Sequence, residues 1–176
     1  MSTPVIAPCE AADLPAVVAL VNAAYRGEGG WTNEVDAVAG ERITIPQLLE
    51  ELAAEPGAVV EVLRLDGEVQ ACVRLDPATA ADGGPALYIG MLAVRPGRQA
   101  QGLGRQLLEH AEAVALRQGR RTARISVVFD RDTLIAWYER RGYVRTGETL
   151  PFHTDGRYGA PKRGDLYLVV LEKALG

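Results

Sequence analysis

The segment from Met91 to Ala115 constrains the fold more than any other part of the sequence. An apolar strand pattern ends there, a short loop rich in Arg, Gln and Gly follows, and an amphipathic helix pattern begins at once. The first turn of a helix has free backbone N–H groups and the positive end of the helix dipole, which together favour a phosphate or pyrophosphate. The segment therefore predicts a strand–loop–helix unit with a phosphate-bearing cofactor at its turn.

Two common nucleotide-binding motifs do not fit this loop. A P-loop needs Gly-Lys-Ser/Thr, whereas Gly102 and Gly104 are followed by Arg105 and Gln106. A dinucleotide-binding fold has its glycine fingerprint after the first strand and an acidic residue roughly 20 positions later. Because this loop lies beyond the midpoint of the chain, a Rossmann site is not expected either.

Two motifs in a fixed order match another class of protein. The loop has the pattern Gln/Arg-x-x-Gly-x-Gly/Ala from Gln99 to Gly104, and the motif Tyr138-x-x-x-Gly142-Tyr143 follows downstream. Together they resemble the acetyl-CoA loop and the tyrosine helix of the GNAT superfamily of N-acetyltransferases. The resemblance covers essentially the whole chain. It implies an α/β (α+β) fold with a mixed, mostly antiparallel central sheet of about seven strands, flanked by about four helices.

Periodicity, capping residues and turn signals place the individual elements. Strands are predicted over residues 5–9, 58–65, 68–75, 86–94, 122–128, 143–149 and 166–171. A first helix is predicted from an Asp13 cap to about residue 27, and a second from a capping box of Thr44 and Gln47 to about residue 55. Two further helices are predicted, one over residues 101–118 and one that begins at residue 130 or 132 and ends at about residue 141. Residues 77–85 are predicted to form a loop. A chain of 176 residues is expected to form one domain over 1–176.

Composition excludes several classes of function. The formal net charge of −4 argues against a nucleic-acid partner, because phosphate neutralisation needs a basic face. The sequence has neither a leader pattern nor the roughly 18 continuous apolar residues of a membrane helix, so a cytoplasmic protein without membrane contact is expected. Cys9 and Cys72 fall in predicted strands, too scattered for a disulfide framework or a zinc site, and no metal is predicted. The resemblance leaves a homodimer open.

The resemblance implies that acetyl-CoA binds at the Gly loop. Its pyrophosphate is expected on the backbone amides of Gln99, Ala100, Gln101, Gly102, Leu103, Gly104 and Arg105. In the family the strands on either side of this unit splay apart with pantetheine between them, so Leu92, Ala93 and Val94 are expected to offer backbone groups. An amide near Leu92 is expected to polarise the thioester carbonyl. Six arginines near this unit suit a polyanion: Arg95, Arg98, Arg105, Arg120, Arg121 and Arg124.

Tyr138 occupies the family's tyrosine position, and its phenol is expected to protonate the leaving thiolate. The proton acceptor for the amine is less defined, because the strand over residues 87–92 carries no acid where many relatives have one. Glu34 and Asp36 are candidates, with Tyr88 and His153 as alternatives. The start of the tyrosine helix also departs from the family, since Arg131 and Leu134 replace its usual Asn and Ala.

The acceptor site is predicted in two long loops, residues 27–42 and 150–164, because long structured loops commonly bind ligands. The residues expected to line it are Trp31, Glu34, Asp36, Tyr88, Phe152 and His153. The two acids among them favour a cationic acceptor.

The sequence thus predicts an acetyl-CoA-dependent N-acetyltransferase. A primary amine of a small molecule or a peptide is expected to attack directly in a ternary complex, since no nucleophile is placed for a covalent intermediate. The alternative is a catalytically weak acyl-CoA-binding or regulatory module. This alternative stays open because the strand before the Gly loop lacks the carboxylate that many relatives have.

Overall fold

The computed structural model describes residues 2–27, 34, 38–153 and 157–176. Its strands are β1 (Val5–Pro8), β2 (Val38–Ala39), β3 (Val59–Leu65), β4 (Glu68–Thr79), β5 (Pro85–Val94), β6 (Thr122–Val128), β7 (Val144–Pro151), β8 (Ala160–Pro161) and β9 (Tyr167–Ala174). Its α-helices are α1 (Leu14–Arg26), α2 (Ile45–Ala54), α3 (Leu103–Arg117) and α4 (Asp132–Glu139). Short 3-10 turns precede α1 and α3, at Ala11–Asp13 and Gln99–Gln101.

Seven strands form one sheet in the order β1-β3-β4-β5-β6-β9-β7, and β2 pairs with β8 in a separate two-stranded ribbon. Every neighbouring pair in the large sheet is antiparallel except β5 and β6. These two run parallel because α3 carries the chain back between them. The mixed, mostly antiparallel sheet and the four helices confirm the predicted fold class.

Alternation along the strands gives the sheet two apolar faces. On β4, Ala71, Val73 and Leu75 belong to the core under α3 and α4, whereas Cys72 belongs to the core under α1 and α2. Both helical layers are therefore fixed to the central strands that also form the walls of the site. Among the described residues, no helix is both long and apolar enough to cross a membrane.

The helix starts partly match the sequence signals. The capping box of α2 is confirmed, because Thr44 Oγ1 accepts from the Gln47 amide at 3.3 Å and Gln47 Oε1 accepts from the Thr44 amide at 3.0 Å. Asp13 stands at the predicted N-cap position of α1, but its side chain does not cap the helix. A 3-10 turn precedes this helix, and the Asp13 carboxylate instead accepts from the Glu10 amide at 2.8 Å and pairs with Arg64.

The loop predicted from Pro77 to Pro85 is also wrong in extent. β4 continues to Thr79 and β5 begins at Pro85, so only residues 80–84 form the turn. The residues that extend the hairpin are small and have weak strand propensity, but pairing with β5 overrides that preference.

Candidate functional site

A gap opens in the middle of the sheet between β5 and β6. The two strands pair only where Ala86 to Tyr88 faces Thr122 to Arg124, and further along they splay apart as predicted. Met91 on β5 has a φ of 53°, in the left-handed region that non-glycine residues rarely adopt. The register of β4 and β5 also shifts here, between Cys72 and Arg74. Such a bulge bends a strand, and this one opens the gap.

A cavity of about 380 Å³, called the donor cavity below, lies where the gap meets the start of α3. Most of the residues predicted to bind the cofactor line it: Leu92, Ala93, Val94, Gln99, Gly102, Gly104 and Arg105. Gln101 is exposed and Leu103 is buried in the core, and neither side chain lines this cavity. The side chain of Ala100 lies outside the described part of the chain.

The first turn of α3 offers backbone amides to the donor cavity. The helix begins directly after Gly102, whose φ of 75° lies in the left-handed region. Its first bond runs from the Gln106 amide to the Gly102 carbonyl at 3.1 Å, so the amides of residues 103–105 have no acceptor within the helix. At Gly104 a Cβ would lie 3.4 Å from Val94 Cγ2, and its absence keeps the turn open. This turn can bind a pyrophosphate.

Trp137 and Arg141 complete the donor cavity. The Arg141 guanidinium lies 3.9 Å from the centroid of the Trp137 ring, and its Nη1 donates to the Trp137 carbonyl at 2.8 Å. Arg141 Nε is buried without a hydrogen-bond partner among the described residues. Burial lowers the pKa of Arg141, and the nearby Arg105 adds to this effect. Two cations in one cavity favour a polyanionic ligand.

The arginines predicted around the phosphate site do not all lie there. Arg120 donates to the Ala86 carbonyl at 3.0 Å, and Arg124 pairs with Glu148 and Glu172. Both follow α3, whose 15 residues span about 22 Å and carry them to the far end of the helix.

A second cavity of about 450 Å³, called the acceptor cavity below, adjoins the donor cavity. It contains Glu34, Tyr88, Phe152 and His153 of the predicted acceptor residues, while Trp31 and Asp36 lie outside the described residues. The side chains that line both cavities are Tyr25, Leu92, Arg131, Leu134 and Tyr138. Groups bound in the two cavities would therefore meet at this boundary.

Tyr138 stands at the boundary, on the last turn of α4. Its side chain is only 6% exposed, and its ring packs edge-on against Trp137 and Tyr143, with centroids 5.0 and 5.5 Å away. Burial raises the pKa of Tyr138 well above its ordinary value of 10. The site thus presents a phenol that keeps its proton at neutral pH.

The other predicted acceptor residues lie on different walls of the acceptor cavity. Tyr88 hydrogen-bonds with Ser126 where β5 and β6 part, and the His153 ring packs edge-on against Tyr158 at 4.7 Å. Glu34 is buried and lies 3.8 Å from Arg26 Nη2.

A family model for the acetyltransferase (GNAT) family matches residues 19–143, well over half of the chain. The chain belongs to the GNAT acetyltransferase family. Membership confirms the resemblance that the two sequence motifs indicated, and with it the prediction of an acyltransferase that uses acetyl-CoA.

Solved structures share this GNAT fold at low identity. The protein yncA from Salmonella typhimurium, with its cofactor acetyl-CoA, has 22% identity and a TM-score of 0.69, with 99% of this chain and 95% of that one covered. A GNAT family acetyltransferase from Elizabethkingia anophelis with acetyl-CoA bound has 16% identity and a TM-score of 0.65, with 98% of each chain covered. The ribosomal-protein-S18-alanine N-acetyltransferase from Escherichia coli has 20% identity and a TM-score of 0.66, with 99% and 95% covered. No curated protein sequence matches this chain significantly.

This GNAT chain has a boundary residue that the sequence patterns did not reveal. Tyr25 falls on the apolar stripe of α1, and this pattern predicts a core residue. In the structure its hydroxyl donates to the Leu92 carbonyl at 3.3 Å, and burial raises its pKa to about 12. The sequence signal that favoured a site residue was its position at the C-terminal end of α1, just before the long loop predicted over residues 27–42.

The acceptor cavity also contains an ion-pair network that was not predicted. Glu51 accepts from Arg157 Nε at 3.0 Å and from the Tyr158 hydroxyl at 2.9 Å, and it pairs with Arg74. Burial alone would raise the pKa of Glu51, but the hydrogen bonds outweigh it and hold the pKa below 4.5. Arg74 in turn pairs with Asp76 at 3.0 Å. The network joins α2, β4 and the segment before β8 into one wall.

Proposed function

We propose that this GNAT chain transfers the acetyl group of acetyl-CoA to a primary amine by direct attack in a ternary complex. The observation that carries the proposal is the shared boundary of the two cavities, which includes Leu92 and Tyr138. The donor cavity has helix amides and two arginines for a polyanion, and the acceptor cavity has room for a small molecule. Acetyl-CoA supplies an acyl group that is activated as a thioester.

The donor residues have distinct roles in this proposal. The amides of residues 103–105 bind the pyrophosphate, and Arg105 and Arg141 add charge-assisted contacts to phosphate oxygens. Backbone groups from Leu92 to Val94 bind pantetheine, because β5 has left its β6 partner along this stretch. The Leu92 amide, next to the bulge at Met91, donates to the thioester carbonyl as negative charge develops there.

Tyr138 is the proton donor to the leaving thiolate. Its raised pKa keeps the phenol protonated, and Tyr138 lines both cavities, as a proton donor to the leaving thiolate must. A buried hydroxyl is also shielded from water, which strengthens the hydrogen bond that it offers.

Glu34 is the proton acceptor for the amine. Glu51 and Asp76 are held by arginines at about hydrogen-bond distance, whereas Glu34 has a longer contact of 3.8 Å with Arg26. Its carboxylate can therefore take a proton from the attacking nitrogen, directly or through one water.

The test is thiol release from acetyl-CoA with a panel of primary amines. Tyr138→Phe is expected to lower kcat by about 10²- to 10⁴-fold while CoA affinity changes little, because general acid catalysis contributes factors of this size. The matched control is Tyr167→Phe, on a partly exposed tyrosine that stacks on Phe129 away from both cavities. Full activity of Tyr138→Phe would remove the phenol from the mechanism. CoA binding without turnover of any amine would favour the regulatory module instead.

A further inference from the structure

Three arginines of the acceptor cavity lie together beside the boundary: Arg26, Arg42 and Arg131. The guanidinium groups of Arg42 and Arg131 lie 5.5 and 5.6 Å from the centroid of the Tyr25 ring. Burial lowers the pKa of Arg26, and repulsion from the other two adds to this effect although Glu34 opposes it. Cations that repel one another in a partly buried place are stabilised by a bound anion.

Four acids line the acceptor cavity. Glu34 lies beside Arg26, Glu51 and Asp76 are held in the network of Arg74, and Glu55 is exposed. Among the described residues, no carboxylate lies within 4.0 Å of the Arg42 guanidinium. Arg42 therefore has charge-assisted hydrogen bonds to offer to a ligand.

Arg42 is also held in a defined position. Its guanidinium lies 4.5 Å from the centroid of the Tyr158 ring as well as near Tyr25. Its backbone amide donates to Asn22 Oδ1 at 2.7 Å, which fixes the chain just before α2. Stacking occupies the faces of a guanidinium but leaves its N–H edge free, and that edge matches a carboxylate in a bidentate pair.

We propose that the acceptor is a small amine that also carries a carboxylate, as a free amino acid does, and that Arg42 binds this carboxylate. The inference rests on the proposed acetyl transfer and names its substrate class. Glu34 would face the amine and Arg42 the carboxylate, so the cavity has charges of both signs for a zwitterion. It adds a carboxylate to the cationic acceptor that was expected from Glu34 and Asp36, because Glu34 has an arginine neighbour in Arg26, while Asp36 lies outside the described residues.

The first experiment compares matched acceptors by thiol release from acetyl-CoA. Each common L-amino acid is measured beside its carboxamide and its decarboxylated amine, which keep the side chain and the reacting nitrogen. The preferred amino acid is expected to have a kcat/KM on the order of tenfold to a hundredfold above its carboxamide, as a charge-assisted hydrogen bond allows.

The second experiment changes the binding residue. Arg42→Met keeps an apolar contact with the two tyrosine rings and removes the charge. It is expected to lower kcat/KM for the amino acid by about tenfold to a hundredfold, mainly through KM. The kcat/KM for the carboxamide is expected to stay within about twofold of the wild-type value. The matched control is Arg145→Met, on an exposed residue of β7 that is expected to behave as wild type. Thermal melting and CoA affinity check that each variant is folded.

The outcomes separate this inference from the proposed function. Turnover of carboxamides, decarboxylated amines or peptide amines as good as or better than that of amino acids would overturn the inference and leave acetyl transfer standing. An equal loss for amino acid and carboxamide in Arg42→Met would also overturn it. If no amine is turned over, acetyl transfer fails, and calorimetry on the CoA complex decides the inference separately: binding of amino acids but not carboxamides supports it, and the absence of that difference refutes it.

Discussion

Replacing Glu51 with Gln tests how the acceptor cavity keeps its shape. The Glu51 carboxylate is 9% exposed and joins Arg74, Arg157 and Tyr158, which come from two separate parts of the chain. Gln has almost the same shape and still offers one acceptor oxygen, so the substitution removes the charge with little change in volume.

The expected loss follows from the individual contacts. A hydrogen bond to a charged group contributes about 1 kcal/mol more than a neutral one, and the contacts with Arg74 and Tyr158 are both affected. The contact with Arg157 adds little because its side chain is 35% exposed and screened by solvent. The free energy of unfolding should therefore fall by about 2 kcal/mol, which lowers Tm by about 4–8 °C in a protein of this size.

The pH dependence of stability provides a sharper readout. The pKa of Glu51 is lower in the folded chain than its ordinary value of 4.5. The ionised Glu51 carboxylate therefore stabilises the folded chain above pH 4.5, and this stabilisation is lost as the pH falls through the pKa of Glu51 in the folded chain. Denaturant unfolding of both proteins from pH 7 down to pH 3 should show a stability difference that is constant near neutrality and shrinks in acid.

Kinetics of the same variant should show a selective effect. Glu51 and its three partners line the acceptor cavity but not the donor cavity, so KM for the amine should rise while CoA affinity stays unchanged. Glu50→Gln is the matched control, on an exposed glutamate one position earlier in α2. A stability difference that persists unchanged at pH 3, or an equal effect of Glu50→Gln, would refute the reasoning.

Two further substitutions test the boundary and the donor cavity. Tyr25→Phe removes the hydrogen bond to the Leu92 carbonyl and should lower kcat/KM by about two- to tenfold; unchanged kinetics would show that the bond has no role. Gly104→Val should weaken CoA binding by about tenfold or more in calorimetry, because its Cβ would lie 3.4 Å from Val94 Cγ2 and its methyl groups would enter the cavity. Gly104→Ala is the control, and equal CoA affinity of the Val variant would place the cofactor elsewhere.

The parts of the fold and site that depend on local sequence could be predicted. The turn at Gly102, the capping box of Thr44 and the place of Tyr138 near the end of α4 each follow from a few adjacent residues. Half of the residues that line the donor cavity come from one continuous segment, Leu92 to Arg105, so this half was recognisable as a pattern.

The acceptor cavity depends on contacts between distant residues, and it was only partly predicted. The sequence predicts Glu51 to be a solvated acid on a helix. Its contact with Arg157, 106 positions away, places it in the wall of the acceptor cavity. The sequence predicts Arg42 to be a loop residue. Its proposed role in binding a carboxylate depends on the rings of Tyr25 and Tyr158, which hold its guanidinium. Periodicity and spacing carry no information about such pairs.

The most direct test of acetyl transfer across the boundary is a mass balance. The wild-type chain is incubated with acetyl-CoA, first alone and then with an accepted amine, and the intact protein, free CoA and acetylated amine are quantified by mass spectrometry. Direct attack predicts an unmodified protein in both samples, with one acetylated amine formed for each CoA released, only when the amine is present. An acetylated protein that passes its acetyl group to the amine, or CoA release without an acetylated amine, would contradict it.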